Sequence, residues 1–283
     1  MLRIRRMRRD DVRFAVQLTN QEKWGIPQRD FRRILKLDPR GSFVATDGMR
    51  RVGLATTTSY GTEVAWIGNI VVQKRHRGKH IGQSLVAEAV GYLHKKRVKH
   101  VALYCFDENV EFYKKLGFVK GAPFGRLRRE RKQSSPAKAA INSHANPDLS
   151  SVLTIDKKAF GADRSRLIRD LLHSKLASVL TVANGDARAY LLIKNYEDMC
   201  ELGPWVSFRA SRENLTRMLR ESLTRANGKA VEVSTLLHNE RALGMLSRHG
   251  FQIVTTGHSM YLDEIPRIGF PAAILALGFL DKG

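Results

Sequence analysis

Residues 70–90 read IVVQKRHRGKHIGQSLVAEAV, an apolar strand-like run that breaks into basic residues and a glycine before a helical pattern opens at a second glycine. A helix N-terminus leaves its first backbone N–H groups unpaired and carries about half a positive charge. Glycine lets that backbone approach a ligand closely. Together these features make an anion site suited to phosphate or pyrophosphate, and Lys74, Arg75, Arg77 and Lys79 surround it with positive charge. The plain alternative is a basic strand–helix turn that holds nothing. G-x-G-x-x-G is missing at this junction and G-x-x-x-x-G-K-[ST] is missing throughout, so a Rossmann fingerprint and a Walker A loop are both excluded. Further along, FDENVEFYKKLGF (106–118) reads as an amphipathic helix that carries Tyr113 and closes on Gly117 and Phe118.

The elements that must position these residues follow from the patterning. In the first half a short strand at 2–7 precedes a helix capped by Asp10 or Asp11, and Pro27 opens a second helix. Strands follow at 42–47, 52–60 and 63–72, the last apolar on both faces and so expected to be central. A helix from Gly82 to about Lys96, a strand at 100–106 and the Tyr113 helix complete the unit. Residues 126–147, RLRRERKQSSPAKAAINSHANP, lack apolar periodicity and read as a basic linker. The second half repeats the order more loosely: helices over 148–172, strands near 177–183, 187–194 and 199–208, a helix, a strand at 230–237, and a helix over 239–251. ENVEFYKKLGF and ERALGMLSRHGF both close a helix on Gly-Phe, the mark of a diverged internal repeat. The expected organisation is residues 1–125, a linker at 126–147, and residues 148–283.

Arg77-Gly78-Lys79-His80-Ile81-Gly82 after IVVQKRH resembles the acetyl-CoA loop of the GCN5-related N-acetyltransferases (GNAT), [QR]-x-x-G-x-[GA]. Arg77 and Gly82 fit, while His80 stands where a glycine is more usual. The Tyr113 helix, in the correct order and spacing, strengthens the resemblance over residues 1–125, and the AFGADR and GPWVS stretches carry a weaker one through the second half. The resemblance implies an α/β (α+β) fold of tandem GNAT-like domains, each a mixed, mostly antiparallel central sheet flanked by helices. It implies acetyl-CoA held by Arg77, Gly78, Lys79, His80, Ile81, Gly82 and Gln83, with Asn109 on the pantetheine arm. A bulge at Ile70, Val71 and Val72 would turn a backbone N–H toward the thioester carbonyl. A primary amine then attacks directly, and Tyr113 protonates the departing thiolate, a reasonable transfer for a phenol. The base is less clear: Glu63 is the first candidate, on the face of Asn69 by period-2 alternation, and Glu22 is weaker. Cys105 reads as packing rather than an acyl-cysteine. In the second half Leu246 stands at the position of Tyr113, and VSFRASRENL has no glycine pair, so only the first half is expected to bind CoA.

Bulk properties bound the rest. The chain has 283 residues, 43% of them hydrophobic, enough for two packed domains. Its 49 Lys and Arg against 27 Asp and Glu give a net +22, which favours an anionic partner. That charge keeps a second function class open, a nucleic-acid-binding or regulatory acyl-CoA-binding protein without turnover, though no aromatic interleaving or known module supports it. Two cysteines, Cys105 and Cys200, suit a reducing compartment. The longest apolar stretch, 269–280, is far below the roughly 20 residues of a membrane span. The N-terminus lacks an apolar signal region. The expectation is therefore a cytoplasmic protein off the membrane. His76 and His80 sit among like charges with no carboxylate to complete a site, so no metal is expected. Arg164 is a lesser candidate for holding an anion.

Overall fold

The computed structural model describes residues 1–131 and 148–283, so most of the expected linker, residues 132–147, lies outside the described residues. The first half runs β1 (Leu2–Arg6), α1 (Val12–Gln21), α2 (Gln28–Leu37), β2 (Ser42–Asp47), β3 (Arg50–Tyr60), β4 (Val64–Val72), α3 (Ile81–Lys95), β5 (His100–Phe106), α4 (Val110–Lys114) and β6 (Phe118–Arg129). The second runs α5 (Leu149–Phe160), α6 (Ser165–His173), β7 (Ala177–Asn184), β8 (Ala187–Asn195), β9 (Met199–Phe208), α7 (Arg212–Arg225), β10 (Ala230–Leu236), α8 (Glu240–Arg248), β11 (Gln252–Leu262) and β12 (Ile274–Ala276). After β1, both halves follow one order of two helices, three strands, helix, strand, helix, strand. That is the internal repeat read from the Gly-Phe endings. Gly117 and Gly250 close their helices in the left-handed region, at φ +87° and +82°.

The strands form one mixed sheet in the order β1-β2-β3-β4-β5-β11-β6-β10-β9-β8-β7, with β12 on β9. Only β4–β5 and β9–β10 are parallel pairs, the same pair in each repeat. The halves do not form separate sheets. Strand β11, the last of the second half, lies between β5 and β6, and β6, the last of the first half, lies between β11 and β10. The boundary expected at residue 125 therefore falls inside β6. Residues 126–129 are sheet, held to β10 by Leu127↔Val233 and Arg128↔Glu232, rather than connector.

Helix α3 packs Leu85, Val86 and Ala89 on Ala65 and Ile67, one face of β4. Trp66, on the opposite face, packs with Phe279 and with Leu167 and Leu171 of α6. Period-2 alternation thus gives β4 a first-half helix on one side and second-half elements on the other. No helix among the described residues is long and apolar enough to cross a membrane.

Candidate active site

Strand β4 departs from regular geometry at Asn69, just ahead of the Ile70–Val72 stretch where the resemblance implied a bulge. Thr56 pairs with Gly68 but Leu54 with Val71, so one extra β4 residue opposes β3, and Asn69 takes φ +53°. The parallel pairing with β5 covers only Val64↔His100 to Trp66↔Ala102. Beyond Trp66 the two strands diverge, and the β4 backbone from Ile67 onward has no strand partner on that side among the described residues. A cleft of about 1440 Å³ opens there, lined by Ile70, Val71 and Val72 together with Tyr113 and Asn109. Single small-ligand sites are typically about 300–1,000 Å³, so this one has room for two substrates.

The basic loop meets the same cleft. Arg77, Gly78, His80, Ile81, Gly82 and Gln83 line it, while Lys79 is exposed and does not. His80 is the N-cap of α3 at φ +57°, the left-handed region that explains why glycine is the usual residue there. Among the described residues no side chain caps α3, so its first N–H groups are left open to a ligand. The equivalent helix of the second half is closed. The Ser211 hydroxyl accepts the Asn214 N–H at 3.1 Å and caps α7. The splay between β9 and β10 is filled as well: β12 pairs with β9, Thr235 of β10 donates to the Leu275 carbonyl at 2.8 Å, and Leu277 N–H donates to Ser234 at 2.8 Å. The second half plugs with its own chain the space that the first half leaves open.

Tyr113 is 7% exposed, packed edge-on to Phe112 and Phe118, and burial raises its pKa above the ordinary tyrosine range. It stays a protonated phenol throughout the physiological range, as an acid must. Burial also pushes the neighbouring Cys105 thiol up to about 12. A thiol so held is a weak nucleophile, which fits packing rather than an acyl-cysteine.

Two expectations fail on geometry. Glu63 precedes β4 at the end remote from the bulge, half exposed and paired with Lys99 at 2.8 Å, and does not line the cleft. Alternation misplaces the face as well as the depth: Glu63 shares the parity of Ala65 and Ile67, which face α3, while the bulge turns Asn69 toward Asp281, and six residues at about 3.3 Å each put Glu63 roughly 20 Å from Asn69. Arg164 holds no external anion. It is buried, paired with Asp156 at 2.6 Å and donating to the Gly283 carbonyl at 2.7 Å, a clamp on the C-terminal segment. Glu22 does line the cleft, bonded to Arg77 at 2.6 Å.

Sequence reasoning expected the second half to close over the acceptor or brace the first, but named none of its residues at the site. Tyr196, Glu232 and Ser234 line the cleft, as do Phe279 to Lys282 of the C-terminal segment. Glu232 is buried between Arg126 and Arg128 of β6, bonded at 2.8 Å to the Arg126 Nε and at 3.2 Å to Arg128. Only the stretch 269–280, read for membrane length alone, carried any signal of the tail.

Residues 5–118 match the acetyltransferase (GNAT) family profile, and residues 152–268 match an acetyltransferase (GNAT) domain profile. A holothin acyltransferase of a Pseudoalteromonas species is 25% identical over 93% of this chain and 88% of its own length. An uncharacterized N-acetyltransferase of Methanocaldococcus jannaschii is 34% identical, but over 31% of this chain and 43% of its own. In fold, a Pyrococcus horikoshii protein described as an acetyltransferase covers all of this chain and 96% of its own, with a TM-score of 0.79 at 21% identity. A tandem GNAT protein from the clavulanic acid biosynthesis pathway covers 92% and 98%, with a TM-score of 0.63 at 13% identity. With a GNAT profile matched in each half, the chain belongs to the GNAT acetyltransferase family as a two-domain acyltransferase.

Proposed function

We propose that this acyltransferase moves an acetyl group from acetyl-CoA to a primary amine, by direct attack, in the cleft of the first half. The observation that carries the reading is the contrast between repeats: α3 is uncapped beside an open splay, whereas α7 is capped beside a splay filled by β12. The open N–H groups of α3, backed by Arg77, suit a pyrophosphate. The backbone at the β4 bulge suits a thioester carbonyl that gains negative charge as the amine adds. Tyr113 gives its proton to the sulfur as the C–S bond breaks. The holothin acyltransferase relative makes holothin the first acceptor to test, beside tyramine, spermidine and free lysine.

Thermal unfolding with and without acetyl-CoA tests the donor site. A ligand at 100-fold its Kd that binds only the native state adds about 2.7 kcal/mol, worth several degrees in a chain of this size. No shift in a folded protein removes the donor assignment, and release of free thiol with the four amines tests transfer.

Gly82→Glu separates the loop from the fold. A Cβ at Gly82 would sit 3.4 Å from the Phe112 ring, which the ring accommodates. A glutamate in the first turn also favours the helix dipole, so the melting temperature should hold or rise. The same carboxylate occupies the pyrophosphate position, and acetyl-CoA affinity should fall by about 100-fold, or about 2.7 kcal/mol. Unchanged affinity by calorimetry would take the loop out of the donor site.

A further inference from the structure

Glu63 lies away from the cleft, and Glu22 and Glu232, which line it, are bonded to Arg77 and to Arg126 and Arg128, so the group that receives the amine's proton is still to be assigned. The C-terminal segment supplies a carboxylate at the bulge itself. Phe279, Asp281 and Gly283 meet the face of β4 opposite α3, and a Cβ on Gly68 would lie 2.4 Å from the Asp281 carbonyl oxygen, so only glycine admits this approach. Asn69, the bulge residue, donates its side-chain N–H to the Asp281 carboxylate at 3.2 Å. The segment is anchored on both sides of Asp281. Lys194 donates to the Gly278 carbonyl at 2.6 Å, Tyr60 to the Lys282 carbonyl at 2.6 Å, and Arg164 to the Gly283 carbonyl at 2.7 Å. Asp281 lines the same cleft as Tyr113, and its side chain keeps 19% exposure.

Resting on the acetyl-transfer reading above, we infer that Asp281 is the general base, carried into the first half's site by the last residues of the second. The ammonium of the acceptor gives one proton to the Asp281 carboxylate. The freed lone pair forms the N–C bond to the thioester carbonyl carbon, and the C–S bond breaks as the tetrahedral centre collapses. Tyr113 protonates the sulfur and regains a proton from the nitrogen, while the proton on Asp281 passes to solvent. One proton is released per turnover, which balances the reaction.

The groups around Asp281 fit this role. The Lys282 ammonium is buried and lies 2.5 Å from the carboxylate. The other titratable neighbours are Tyr60 of β3, Lys194 of β8, and Tyr196 just beyond β8. Lys194 is itself paired with Glu201 at 2.9 Å, and burial holds both tyrosines in the neutral phenol form.

Asp281→Asn strands the buried Lys282 ammonium and threatens the fold, so the test uses the pair Asp281→Asn/Lys282→Met alongside it. Acetyl-CoA binding, read by calorimetry, should match wild type in the double variant. The kcat/KM for whichever of the four amines wild type turns over fastest should fall about 100-fold at neutral pH. For an acceptor protonated at that pH, the deficit should shrink as pH rises toward the amine's own pKa. Wild-type kcat/KM with an unchanged pH profile in the folded double variant overturns Asp281 and leaves acetyl transfer standing. Donor binding without thiol release from any of the four amines in wild type overturns the transfer reading and this inference together.

Discussion

Tyr113→Phe is expected to lower kcat by about 1,000-fold, within the span of general acid catalysis, while acetyl-CoA affinity stays within about twofold of wild type. The hydroxyl is the only atom removed, and the ring keeps its edge contacts with Phe112 and Phe118. Loss of packing therefore cannot account for a large effect. Because burial raises the Tyr113 pKa, the acid is fully protonated at neutral pH, and its contribution is lost only as pH climbs beyond the ordinary tyrosine range. The wild-type kcat profile should accordingly show no tyrosine-dependent decline between pH 6 and about 10. Equal turnover in wild type and variant, measured by thiol release, would mean that solvent or another group protonates the sulfur.

The sequence made the basic-loop side of the cleft legible because its signals are local. Strand, glycine, cation and helix follow one another within 70–90, and backbone physics relates them directly to an anion. Even the weak point of the motif has a local explanation: His80 occupies the left-handed position that a glycine would take without strain. The opposite side of the cleft was not legible because it is assembled from residues distant in sequence. Asp281 meets Asn69 across 212 positions, and nothing in the composition of 269–283 marks a carboxylate that lands on a strand bulge. The same distinction explains the domain boundary. Residues 118–129 and 252–262 both show strand character, but pairing is set by which edge each strand finds, and period-2 patterning does not encode a partner. Two separate sheets and one sheet with exchanged last strands are therefore indistinguishable from patterning alone.

That exchange leads to the largest expected effect, that the first half expressed alone as residues 1–131 does not fold to a stable monomer. Strand β5 would lose its partner over Ala102 to Phe106, and β6 would lose both neighbours at once. An unpaired central strand leaves backbone N–H and C=O groups without partners and opens an edge to aggregation. The cost in apolar burial is comparable to the whole stability of a domain. Tyr60, Trp66 and Tyr104 pack against Phe160, Tyr261 and one another, with Phe279 and α6 completing that cluster. Aromatic side chains bury roughly 150–250 Å² each. Exposing only half of three such rings costs about 7 kcal/mol at about 25 cal/mol/Å², against a total of roughly 5–15 kcal/mol for a native protein. The fragment should therefore be aggregated or lack a cooperative melt, and acetyl-CoA should not rescue it at concentrations that stabilise the full chain. Supplying residues 148–283 in trans should restore a cooperative transition, because β11 and the C-terminal segment then return to β5 and β4. A soluble monomeric fragment with a sharp melt and wild-type donor affinity would show that the strand exchange is dispensable. The second half would then be an accessory to a self-sufficient first half rather than the source of its central strand.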